Sequence, residues 1–206
     1  MDRYVQIKMC GMTRKEDIAY AAQIGVNAVG FLFYEKSRRA VSIEKAMSLL
    51  TTFPLFLNAV AVFVNPQEEL VRKIIGLPFQ YLQFHGQETA IFCEQFNKPY
   101  IKAIAAISSE YIAEVMQEHK NAQAFLLDTP SVQHGGTGKT FNWDLIPEHS
   151  DKPIILAGGL TSENVGAAIK YPAIYAIDVC SGVESNPGEK NPAKMLQFIE
   201  EVRRNT

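Results

Sequence analysis

The chain has 206 residues, of which 47% are hydrophobic and 20% charged; 20 Lys and Arg against 22 Asp and Glu give a formal net charge of −2. That length can bury a substantial core, so residues 1–206 are read as a single domain. Scattered charge without a basic run argues against nucleic-acid binding by bulk electrostatics, and no apolar stretch approaches the roughly 18 residues of a membrane span.

Short apolar runs alternate with amphipathic ones along the whole chain. Strands are expected at 5–9, 28–33, 58–63, 81–84, 101–104, 125–127, 154–156 and 175–177. Helices are expected at 15–24, 43–50, 68–75, 88–96, 109–117, 162–169 and 193–203, with a short turn near 143–146. Thr13, Ser42 and Thr161 precede helix starts as candidate caps. Eight βα units predict a closed (β/α)8 barrel. The competing architecture is an open doubly wound sheet, whose glycine-rich loop usually follows the first strand. Here that strand ends Met9-Cys10-Gly11-Met12, which is not that fingerprint.

Parity along each strand sorts the candidate site residues. In strand 1, Val5, Ile7 and Met9 face the helices, and Gln6, Lys8 and Cys10 face the interior. Cys10 is either a small buried hydrophobe or, with Lys8 beside it, a usable base. Arg39, beside Arg38 in the loop after strand 2, is either solvated or a bidentate carboxylate holder. His85 shares the inward parity of Gln83, and Asp128 ends strand 6 either as a turn residue or as a site acid. The loop after it holds Gly135-Gly136-Thr137-Gly138, without the spacing of a nucleotide phosphate loop. Paired glycines, Gly158 and Gly159, end strand 7, and Ser181 and Gly182 follow strand 8. Two such loops on consecutive units suit a substrate phosphate, with Gly136 as a further contributor. Lys8 and Asp178, on strands made neighbours by closure, are expected to pair. The alternative is that Asp178 is a loop acid or a substrate contact. Cys10, Cys93 and Cys180 suggest neither a disulfide framework nor a metal clip, and the first residues lack a signal-peptide core, so a cytoplasmic location is expected.

Ordered motifs across nearly the whole chain carry a resemblance. They are Lys8-Met9-Cys10-Gly11, Ser37-Arg38-Arg39-Ala40-Val41, Gln83-Phe84-His85-Gly86, Leu127-Asp128, Gly135-Gly136-Thr137-Gly138 with Phe141-Asn142-Trp143, Ala157-Gly158-Gly159-Leu160, Asp178-Val179-Cys180-Ser181-Gly182-Val183-Glu184, and Pro187-Gly188-Glu189-Lys190. Together they resemble the phosphoribosylanthranilate isomerases of tryptophan biosynthesis. The resemblance implies a cofactor-free Amadori rearrangement of N-(5-phosphoribosyl)anthranilate, with Cys10 as general base and Asp128 as general acid. It also implies that Arg39 meets the anthranilate carboxylate; Lys8, His85 and Asp178, placed by their inward parity, are expected to line the substrate as well. A monomer or homodimer is expected, with a small phosphoribosyl molecule as the partner. The chain departs from the family pattern at Arg38, where proline is usual, at Cys180, where serine is common, and at Asn191, where aspartate is common.

Neighbouring functions make different demands. A histidine-pathway aminoimidazole isomerase is expected to carry an acidic residue in place of Cys10. A ribulose-phosphate epimerase needs several metal ligands at strand ends, where only His85 is well placed. A non-catalytic phosphometabolite binder needs neither Cys10 nor Asp128.

Overall fold

The structure is a computed structural model and describes residues 4–130 and 140–206. Eight parallel strands close into a barrel in sequential order: β1 (Gln6–Met9), β2 (Ala28–Leu32), β3 (Asn58–Phe63), β4 (Tyr81–Phe84), β5 (Tyr100–Ala105), β6 (Ala124–Asp128), β7 (Ile154–Leu156) and β8 (Ile174–Val179). All eight expected strands form, with ends that differ by a residue or two. The seam between β1 and β8 pairs Lys8 with Asp178 and Met9 with Val179.

Alternation divides the core into two layers. Ile7, Met9, Phe31, Phe84 and Ile177 point outward and pack beneath the helices with Ile18, Leu49, Ile74 and Phe198. Cys10, Val62, Ala103, Leu126, Ile155 and Ala176 point inward and fill the barrel. The parity assigned to strand 1 therefore holds. So does that of strand 8, where Tyr175 is exposed, Ile177 lies under the helices and Ala176 lies inside.

The helices are α1 (Lys15–Gln23), α2 (Ile43–Leu50), α3 (Glu68–Ile75), α4 (Ala90–Glu94), α5 (Ser109–Glu118), α6 (Val165–Ala168) and α7 (Pro192–Arg204). A 3₁₀ turn at Trp143–Leu145 stands where the short turn was expected. Ser42 caps α2 by accepting from the Lys45 N–H at 3.1 Å. Two expectations about helix starts fail. Thr13 is not the cap of α1, because its hydroxyl donates to the Gly188 carbonyl; Arg14 takes the cap position. Thr161 does not open a helix over 162–169 either: Asn164 occupies the cap position and α6 spans four residues. Helix α4 starts after Glu88, with the Thr89 hydroxyl accepting from Phe92 N–H at 3.3 Å. Glu88 is drawn away by the buried Lys102, 2.9 Å off, and by the N–H groups of Asn65 and Gly86.

A two-stranded hairpin, β9 (Glu184–Asn186) and β10 (Glu189–Lys190), follows β8. It brings Glu184 and Lys190 back over the C-terminal mouth. Asn191 then caps α7, its side chain accepting from Lys194 N–H at 3.1 Å, with Pro192 in the first turn. Asn and Asp cap about equally well, which accounts for the departure at position 191.

Candidate active site at the C-terminal mouth

The floor of the site is an ion pair across the barrel seam. Lys8 Nζ lies 2.8 Å from Asp178 Oδ2, and both residues are buried. Burial alone would lower the lysine, but the charges and hydrogen bonds of Asp178 and Cys10 together outweigh it and raise Lys8 above its ordinary value. The same burial pushes Asp178 up against the pull of Lys8. At this distance each charge is the other's solvation, so we take the pair as ionised. Asp178 Oδ1 is buried with no hydrogen-bond partner among the described residues.

One inward step above Lys8 sits Cys10, 7% exposed. Burial pushes its thiol up to about 12, while Lys8 pulls the other way. Lys8 thus acts in the expected direction but does not by itself make Cys10 a thiolate in the free site. Space for the sulfur comes from Gly30 on β2. A Cβ there would stand 2.6 Å from Cys10 Sγ and 3.3 Å from Lys8 Nζ. Glycine inside a strand marks such a close approach, and that was the available sequence signal for a residue the motif reading passed over.

Asp128 ends β6 and is 8% exposed. Its Oδ1 accepts the Thr129 N–H at 2.7 Å, and its Oδ2 lies 3.0 Å from His85 Nε2. One carboxylate thus holds the turn through one oxygen and faces His85 with the other. His85 Nδ1 is in turn 3.1 Å from Gln83 Nε2, so strand β4 supplies an oriented imidazole to the acid of β6.

Arg39 is fixed by the loop after β2. Ala40 bridges Leu32, the Val41 N–H returns to the Leu32 carbonyl at 2.9 Å, and Arg39 N–H donates to Ser37 Oγ at 3.1 Å. The turn thus holds without the usual proline. Arg38 is exposed, whereas the Arg39 side chain is 14% exposed and forks onto Glu184. Nε and Nη2 of Arg39 reach the two carboxylate oxygens at 2.9 and 2.7 Å. Lys190, fully buried, lies 3.0 Å from Glu184 Oε1 and donates to the carbonyls of Cys10 and Cys180. Glu184 and Lys190 were visible only as motif letters, because Arg39, the partner of Glu184, lies 145 residues before it and the Cys10 carbonyl that Lys190 reaches lies 180 residues before Lys190.

The loops after β7 and β8 meet. Gly158 and Gly159 adopt φ of 85° and 62°, conformations that suit glycine. A Cβ on Gly182 would overlap the Leu160 carbonyl. The N–H groups of Gly159, Ser181 and Gly182 make no hydrogen bond among the described residues. With α6 reduced to four residues, the unbonded amides at this point belong to the loops rather than to a helix terminus. Gly136 lies outside the described residues. Cys10, Arg39, His85, Asp128, Gly159, Asp178 and Ser181 all line one cavity. Among the described residues, no group of His, Cys, Asp and Glu side chains is arranged to hold a metal ion, and no helix is long and apolar enough to cross a membrane.

A closed barrel with a thiol, a carboxylate and an arginine facing one cavity at its mouth defines the class: a (β/α)8 protein with titratable and cationic groups gathered at the C-terminal ends of its strands. The family model described as N-(5'-phosphoribosyl)anthranilate (PRA) isomerase matches residues 7–201. An N-(5'-phosphoribosyl)anthranilate isomerase of Legionella pneumophila (strain Paris) is 52% identical over 200 residues, which is 96% of this chain and 97% of that protein. The phosphoribosyl anthranilate isomerase of Thermotoga maritima superposes with a TM-score of 0.89 at 34% identity, covering 98% of this chain and all of that one. A phosphoribosyl anthranilate isomerase solved with reduced 1-(o-carboxyphenylamino)-1-deoxyribulose 5-phosphate superposes at 0.86 and 32% identity, with the same coverage. The chain belongs to the N-(5'-phosphoribosyl)anthranilate isomerase family.

Proposed function

We infer that this chain catalyses the Amadori rearrangement of N-(5-phosphoribosyl)anthranilate to 1-(2-carboxyphenylamino)-1-deoxyribulose 5-phosphate in tryptophan biosynthesis. Beside family membership, one observation supports the reading most: Cys10 and Asp128 face the same cavity from strands β1 and β6.

Asp128 serves as the general acid. It gives a proton to the ribose ring oxygen as the C1–O bond breaks, while the anthranilate nitrogen, keeping its hydrogen, supplies the electrons of a C1=N bond and leaves a protonated imine. Cys10, in its thiolate form after losing its own proton to solvent, removes the C2 proton; the electrons of that C–H bond form the C1=C2 bond and the C1=N electrons return to nitrogen, giving a neutral enolamine. The enol then loses its O–H proton while C1 gains one, giving the ketone. Because the Cys10 thiol stands near 12 when free, Lys8 has its effect on the thiolate once it forms. The His85 ring steadies the Asp128 carboxylate and Arg39 takes the anthranilate carboxylate. Gly159, Ser181 and Gly182, with Gly136 from the loop after β6, hold the phosphate, whose binding energy positions C2 for the base. Acid–base groups supply the whole sequence, so the reaction requires no cofactor. The unpaired cysteines accord with a reducing cytoplasm.

The test follows the loss of phosphoribosylanthranilate fluorescence with purified protein. Turnover is expected in the wild type. Cys10→Ala and Asp128→Asn should each lose about 10²–10⁴-fold. An inactive wild type overturns the assignment; an active Cys10→Ala or Asp128→Asn removes only that residue from the mechanism.

A further inference from the structure

We propose that Glu184 is the positioning residue that gives the site its selectivity for a carboxylate-bearing aromatic ring, by holding Arg39 from behind. The inference rests on the assignment of Arg39 to the substrate carboxylate. Glu184 engages the Nε–Nη2 edge of the guanidinium, with Nε 2.9 Å from Oε1 and Nη2 2.7 Å from Oε2. The Nη1 group makes no hydrogen bond among the described residues. A guanidinium is a planar fork with five donors, so occupying one edge fixes the plane and direction of the other. The outer Nη1–Nη2 edge is left for a second carboxylate, and Arg39 lines the cavity that also holds Cys10 and Asp128.

The carboxylate doing this is itself anchored. Glu184 Oε1 also accepts from Lys190 Nζ at 3.0 Å and from Gly188 N–H at 3.2 Å. Lys190 is tied in turn to the carbonyls of Cys10 and Cys180, at the ends of β1 and β8. The guanidinium thus hangs from the barrel rim through a buried carboxylate rather than from its own flexible stem. Gly11, at φ of 79°, keeps the path of that stem clear, since a Cβ there would stand 2.8 Å from Arg39 Cδ. Two cations share one anion, so the cluster keeps one net positive charge facing the incoming ligand.

The test compares binding of reduced 1-(o-carboxyphenylamino)-1-deoxyribulose 5-phosphate and of its counterpart lacking the ring carboxylate. Calorimetry is run on wild type, Glu184→Gln, Arg39→Gln and the double variant. Glu184→Gln keeps the shape but removes the charge and turns one of the two acceptor oxygens into a donor, so the two-point hold on Arg39 is lost. It should weaken the carboxylated ligand about tenfold or more and change the other ligand less than twofold. The double variant should bind no worse than Arg39→Gln alone. Equal loss for both ligands, or additive losses in the double variant, overturns the positioning role. An Arg39→Gln variant that does not distinguish the two ligands overturns the assignment of Arg39 itself. Glu184→Asp, which restores the charge, should recover part of the selectivity if the protein is folded. No recovery in a folded Glu184→Asp, with Glu184→Gln also unselective, rejects the proposal.

Discussion

At Cys10, burial and charge pull in opposite directions. The interior raises the thiol, and the ammonium below it lowers the thiol again. Removing the ammonium leaves only the first effect, so Lys8→Met should slow alkylation of Cys10 at any fixed pH, read by mass spectrometry of its peptide. An unchanged alkylation profile shows that Lys8 does not tune the base. The same substitution strands Asp178 without its partner and is expected to cost about 3–5 kcal/mol of stability, measured by chemical denaturation. Gly30→Ala tests the space rather than the charge. Its methyl would lie 2.6 Å from the Cys10 sulfur, which must move. Displacement of a reacting group by about 1 Å can cost about 10²-fold, so turnover should fall steeply while the barrel still forms. Near-normal turnover would show that the sulfur has room elsewhere.

Among the elements, the loops after β7 and β8 make the sharpest case. Gly182 seats against the Leu160 carbonyl, where any Cβ would overlap it. Gly182→Ala is therefore expected to part the two loops, raise KM about tenfold or more and weaken inhibition by inorganic phosphate, consistent with loss of amide hydrogen bonds to an anion. A variant with wild-type phosphate inhibition would place the phosphate elsewhere. These elements also show what the sequence revealed. Strand positions were legible because short apolar runs between amphipathic ones need no long-range information, and inward parity followed from counting by two. Helix starts were less so. Glu88 reads as a first-turn helical acid, yet the buried Lys102 holds it outside α4. Thr13 reads as a cap, yet it donates to Gly188, 175 residues further along. Cys10 and Asp128 stood out as polar ends of apolar strands. Glu184 did not, because its meaning depends on an arginine in another loop.

Across the whole molecule, solution pH acts through buried groups on the outer side of the barrel and at its mouth. His119, on the outer side of the barrel, is 1% exposed and lies 3.4 Å from the Tyr100 hydroxyl. Burial holds its imidazole below the ordinary value of 6.5. The unfolded chain therefore binds the proton first as pH falls, and stability declines from about pH 6.5 toward the depressed folded value. Glu184 adds a second acid-side loss. Burial alone would raise it, but Arg39 and Lys190 outweigh that and hold it below 4.5, so its contribution is present above 4.5 and fades below. Denaturation between pH 7 and 5 should show a slope that flattens in His119→Gln; an equal slope would assign the loss to other groups.

The seam of the barrel has a consequence for how the protein is made. Lys8 emerges from the ribosome 170 residues before Asp178. At roughly 5–20 residues per second, that is a delay on the order of ten seconds or more. Until β8 arrives, the lysine that sits under Cys10 has no carboxylate to enter the barrel with, and burying it alone would be costly. The charge beneath Cys10 is thus locked inside only when the last strand zips the cylinder shut.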